Sequence, residues 1–142
     1  MEIAEVIGKC FVSPDEIETQ VFPWGRLQWL SEPRVTGTSK MTTGVVKLMV
    51  GKGHDRHNHQ DCEEVIYVVE GEGQQSVEVE GRVETRPVKA GDLIYIPPSA
   101  FHSTLNTGQK PLTLLVVYEV AGAEVLLRNL PDCRVEPPKK TG

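Results

Sequence analysis

The chain has 142 residues, 39% of them hydrophobic and 25% charged, with a formal net charge of −5. That length suits one domain with a sizeable core, and the ordinary apolar and charged content argues against disorder and against a membrane span. The only clustered bases are Lys139 and Lys140 in a proline-bearing tail, so nucleic acid is not an expected partner.

Residues 1–12 contain acidic Glu2 and Glu5 and no long apolar run, so no signal peptide is expected and the cytoplasm is the default location. Ser13, Pro14, Asp15 and Glu16 have the composition of a helix start, with room for one turn. Leu27 and Trp29 alternate with polar neighbours as in a strand, and residues 31–39 form a polar link with Pro33 and Gly37. Residues 45–50, 64–69, 75–79, 93–96 and 112–120 then read as strands rich in β-branched and aromatic residues. Turn signals at 71–73, Gly81, Gly91 with Asp92, and 106–108 separate them, which points to an all-β barrel or jelly roll. Two of these strands, around 65–69 and 114–117, are apolar on both faces, so something must cover the outside. Phe22, Trp24, Trp29 and Leu30 are expected to cover part, and a second copy of the chain the rest.

Three of the four histidines form a pattern with one glutamate. His57 and His59 stand two apart, Glu64 follows five later, and His102 returns behind a Gly-Asp turn and a Pro-Pro pair. Imidazole and carboxylate suit borderline divalent metals and leave positions open for water or substrate. The spacing calls for His57 and His59 on one extended strand, Glu64 on the next with Ile66 and Val68, and His102 on a third with Thr104 and Asn106. His54, at odd offset from His57, is expected on the opposite face as a loop histidine. Glu63 and Tyr67 are expected to face away from Glu64, with Tyr95 in packing. Cys10, Cys62 and Cys133, odd in number and without a Cys-x-x-Cys pair, read as thiols. Cys62 is expected as a buried filler, with a soft-ligand role as its alternative. Asn106 either orients the pocket or closes a turn, and Trp24 belongs to packing rather than to a lid. Val46, Leu48, Met49, Ile66, Val68, Phe101, Leu114 and Val116 are expected to line a partly apolar pocket or core.

The order Gly51, five residues, His57, one, His59, four, Glu64, six, Gly71 resembles the first motif of the cupins. Gly91, five residues, Pro97, one, Ser99, two, His102, three, Asn106 resembles their second, with serine where glycine is usual. A serine there adopts positive φ only at a cost, so a differently shaped turn is expected before His102. The resemblance implies a double-stranded β-helix (jelly-roll) barrel with a short N-terminal extension. Residues 1–40 would then pack on the barrel or a dimer partner, 41–122 form the barrel, and 123–142 form a C-terminal segment and polar tail. It also implies a metal site of His57, His59, Glu64 and His102, and a homodimer. Iron, manganese, nickel, cobalt and zinc all suit that donor set. The expected function is a metal-dependent enzyme on a small organic molecule, either a dioxygenase or a Lewis-acid isomerase or lyase in which Glu64 is also a catalytic base. The alternative is a non-catalytic module that binds or senses a sugar or carboxylate.

Overall fold

The computed structural model describes residues 9–139. Glu2, Glu5 and most of the opening segment lie outside the described residues, as does Lys140, so the absence of a signal peptide stays an expectation. After one 3-10 turn, Pro14–Glu16, come β1 Thr19–Phe22, β2 Gly25–Ser31, β3 Thr42–Leu48, β4 Gly53–His57, β5 Glu64–Glu70 and β6 Glu72–Val79. These are followed by β7 Arg82–Lys89, β8 Leu93–Ile96, β9 His102–Asn106, β10 Leu112–Tyr118, helix α1 Ala123–Arg128 and β11 Arg134–Glu136. No helix among the described residues is long and apolar enough to cross a membrane.

The strands make two antiparallel sheets, one in the order β11-β1-β2-β3-β10-β5-β8 and one in the order β4-β9-β6-β7. From β3 onward the chain passes repeatedly between the sheets, which is the jelly-roll topology the alternating strands predicted. Gly71 alone separates β5 from β6, although they lie in different sheets. Its φ is +96°, and a Cβ at this position would stand 2.9 Å from the Pro111 carbonyl oxygen, so only glycine fits.

The core lies between the sheets. Along β10, Leu112, Leu114, Val116 and Tyr118 are buried, and Val46, Leu48, Ile66 and Val68 meet them from β3 and β5. Each such aliphatic side chain contributes about 1.5–3 kcal/mol through burial. Met49, expected among these residues, is exposed instead.

The aromatic residues near the N-terminus do not cover the outside of the barrel. β2 pairs with β3 and extends the large sheet sideways, so Phe22 and Trp29 enter the core. Trp29 Nε1 donates to Gln20 Oε1 at 3.2 Å, and Gln20 Nε2 donates to the Glu124 carbonyl at 3.1 Å, so these buried polar groups are satisfied. Tyr67, Val69, Leu93 and Tyr95 remain exposed on the large sheet.

Four elements have no clear signature in the sequence. β7 carries charges at nearly every other position and includes Pro87, which an edge strand tolerates. β1, β11 and α1 are short and depend on distant partners: Arg128 of α1 bonds Glu18 at 2.9 Å and Glu32 at 3.0 Å.

Candidate metal centre

One end of the barrel gathers the residues of both motifs. His57 closes β4 directly opposite His102, which opens β9, and their ring centroids are 4.3 Å apart. Glu64 opens β5 between Tyr118 of β10 and Ile96 of β8. His59 lies just beyond β4 rather than on it, yet its ring is 5.2 Å from that of His57 and 5.6 Å from that of His102. One ligating nitrogen from each of these three histidines lies within 4.8 Å of the others. Glu64 Oε1 lies beside this group, 3.1 Å from His102 Nε2 and 3.7 Å from His59 Nε2.

Hydrogen bonding gives two of the imidazoles a defined polarity. Nδ1 of His57 meets the Asp55 carbonyl at 2.6 Å, and Nδ1 of His102 meets the Ala100 carbonyl at 2.9 Å. A carbonyl only accepts, so each Nδ1 carries the proton and each Nε2 lone pair faces inward, the arrangement by which proteins orient metal-binding imidazoles. His59 Nε2, His102 Nε2 and Glu64 Oε1 are all buried without a hydrogen-bond partner. Acceptors converging in a buried space are costly unless a proton or cation lies between them. The donor set of this chain therefore fits a divalent ion.

The electrostatics of the chain alone agree. Burial pushes His59 down to about 4, with His57 and His102 adding to the effect and Glu64 opposing it. Burial likewise lowers His57. Burial also works to lower His102, but the Glu64 carboxylate and the Ala100 carbonyl outweigh it and hold the pKa raised. A proton on His102 is thus the natural competitor of a cation.

His54 departs from expectation. The β4–β9 register pairs His54 with Thr104 and His57 with His102, so three steps on β4 match two on β9. This bulge cancels the odd offset, and His54 sits on β4 rather than in a loop. Its ring lies 5.9 Å from that of His57 and edge-on to Trp24 at 4.4 Å, with Nε2 buried and unpartnered. Trp24 itself stacks on Phe22 at 4.5 Å, in packing rather than as a lid.

The turn before His102 also differs from expectation, because Ser99 adopts φ +63°, the conformation glycine would take there. Asn106 shares the buried face of His102 and Thr104 but closes a turn, bonding the Leu48 and Lys110 carbonyls and the Gly108 amide. Cys62 is buried against the core, with Sγ 3.3 Å from the Glu63 carbonyl. Glu63 and Tyr67 face outward, and the Tyr95 hydroxyl donates to Glu63.

Tyr118 is a site residue that neither motif marks. Its ring is edge-on to His59 at 4.8 Å and its hydroxyl lies near enough to the Glu64 carboxylate to feel its charge. Burial, reinforced by Glu64, holds its pKa well above the usual tyrosine range, so it remains a donor. The period-2 pattern from Leu112 through Val116 is the available signal, since it carries Tyr118 to the inner face.

An antiparallel jelly roll with three imidazoles and a carboxylate converging at one end defines a double-stranded β-helix protein with a candidate metal centre. The chain belongs to the cupin domain family, whose model matches residues 44–118. A glucose-6-phosphate isomerase of Thermococcus gammatolerans is 37% identical over 68 residues, covering 47% of this chain and 35% of that protein. The match therefore spans about a third of the isomerase's length. A predicted oxalate decarboxylase of Thermotoga maritima aligns with a TM-score of 0.64 and 25% identity over 78% of this chain and 98% of that one. A Bacillus subtilis oxalate decarboxylase studied for its Mn(II) centres aligns with a TM-score of 0.72 and 19% identity, covering 85% of this chain and 34% of that one, a likeness of fold.

Proposed function

We propose that the chain is a metal-dependent cupin enzyme that isomerises or cleaves a small organic molecule, with the ion held by His57, His59, Glu64 and His102. The observation that carries this reading is the convergence of buried, partnerless His59 Nε2, His102 Nε2 and Glu64 Oε1. When bound, a divalent ion supplies Lewis-acid polarisation of a substrate oxygen. Iron, manganese, nickel, cobalt and zinc all suit three nitrogens and one oxygen, and the Mn(II) centres of the Bacillus subtilis relative make manganese the first to test.

The residues divide by depth. His102 and Glu64 are 2% and 3% exposed and form the floor of the site, whereas His57 and His59 are half-buried and border its open side. Substrate would enter past these two rings. A base role for Glu64 requires its carboxylate to leave the ion, and its burial between His102 and Tyr118 opposes that movement. We assign it as a ligand. The names of the relatives favour isomerase or lyase chemistry over dioxygenase chemistry, and the cytoplasm is the proposed location.

The test is turnover by protein loaded separately with each of these metals. Aldose–ketose phosphate conversion, carbon dioxide release from small dicarboxylic and oxo acids, and oxygen uptake would be followed. Conversion that disappears on chelation and returns on reloading is the expected result. Binding without conversion under any metal would instead favour the sugar- or carboxylate-binding module.

We further propose that a second copy of the chain covers the outer face of the large sheet, where Tyr67, Val69, Leu93 and Tyr95 form an exposed apolar patch. Sedimentation at micromolar concentration is expected to give the dimer mass, and Tyr67→Lys with Leu93→Lys to give the monomer. A wild-type monomer under these conditions would refute the assignment.

A further inference from the structure

We infer that Ser99 is a positioning residue that clasps the His59 loop to the turn delivering His102, thereby setting the spacing of two ligands; the inference rests on the metal centre proposed above. Four hydrogen bonds join it to residues 58–61. Asn58 Nδ2 donates to the Ser99 carbonyl at 3.0 Å, and the Ser99 amide donates to the His59 carbonyl at 3.1 Å. The Asp61 amide donates to Ser99 Oγ at 3.0 Å, and Ser99 Oγ donates to Gln60 Oε1 at 3.2 Å. The last two use the hydroxyl, which the glycine usual at this position lacks.

The hydroxyl comes with backbone strain. Ser99 stands at φ +63° and Asp61, which it binds, at φ +53°, both in the left-handed region that side chains disfavour. Such conformations persist where surrounding interactions enforce them, and they cluster at functional sites.

His59 is the ligand that most needs such support. His57 and His102 lie on paired strands and have their rings anchored through Nδ1 to carbonyls. His59 lies beyond the end of β4, and no ring anchor of that kind is present for it among the described residues. It has the edge-on contact with Tyr118 and the backbone clasp at Ser99. Because Ser99 also lies three residues before His102, one residue controls the approach of both ligands.

Two substitutions separate strain from bonding. Ser99→Gly relieves the strain and deletes both hydroxyl bonds, whereas Ser99→Ala deletes the bonds and keeps the strain. In Ser99→Gly, the Asp61 amide of the metal-free protein is expected to exchange faster with deuterium. Co(II) affinity should fall about tenfold or more, the range seen when an outer partner of a metal ligand is lost. The visible spectrum of bound Co(II) should also change, while the thermal midpoint of the metal-free protein does not fall. Ser99→Ala should show the same loss of affinity together with a lowered midpoint. Wild-type Co(II) affinity and spectrum in Ser99→Gly would overturn the positioning role, and unchanged Asp61 exchange would overturn the clasp. If the wild-type protein takes up no Co(II), the metal centre fails and the positioning role with it, a result distinguishable from either.

Discussion

Alanine in place of His102 is expected to abolish stoichiometric binding of a divalent ion while leaving a folded chain. His102 is 2% exposed, its Nε2 has no hydrogen-bond partner, and it stands between His57 and Glu64, so its removal takes away a donor from the middle of the cluster. The loss should exceed the about 10–100-fold that removal of an outer-shell partner costs. Folding linkage provides a second readout. An ion that binds only the folded chain adds about 2.7 kcal/mol of stability at a hundred times its dissociation constant, and a chelator removes it. Wild-type protein should therefore unfold at higher temperature with manganese than with chelator, and His102→Ala should unfold at the same temperature in both. Equal manganese content in wild type and variant by elemental analysis would refute the site.

The metal-free protein should lose stability as pH falls from about 6.5 towards 4, in large part through His54. Burial, with His57, His102 and His59 adding their charges, lowers His54 from its ordinary 6.5 to about 3. Between those values the unfolded chain binds a proton that the folded chain refuses, so stability rises with pH across the window and is lost on acidification. At up to about 1.36 kcal/mol per unit, the fall from pH 6.5 to 4.5 costs on the order of 2 kcal/mol at this residue. His59, lowered to about 4, acts in the same direction, and the raised His102 partly offsets both. Urea midpoints of metal-free protein across this range should fall with pH. They should fall less in His54→Phe, which preserves an aromatic edge against Trp24. Parallel profiles for wild type and His54→Phe would sink the explanation.

The candidate donor set can be read from the sequence because it uses rare residue types at intervals that match two compact motifs. The strands around 45–50, 64–69, 93–96 and 112–120 are legible for a related reason, since alternation is a local property. Parity fails where the backbone breaks period. The bulge before His57 turns His54 inward, and no local signal marks it, since it arises from pairing with Thr104 and His102. Tyr118 is within reach of the same parity reasoning. β7, by contrast, carries an edge-strand composition that reads as a turn-bounded polar segment until β6 pairs with it.

What the sequence by itself determined is the donor set of three imidazoles and one carboxylate and the alternation that builds a jelly roll, because residue type and period are local to the chain. Only the tertiary structure decided that Trp29 enters the core, that the His57 and His102 rings are anchored through Nδ1, that Tyr118 meets Glu64, and that Ser99 adopts a glycine's conformation to hold the His59 loop. Each of these depends on a group or pairing strand brought up by folding, and in the case of Ser99 the partners lie about 40 residues away.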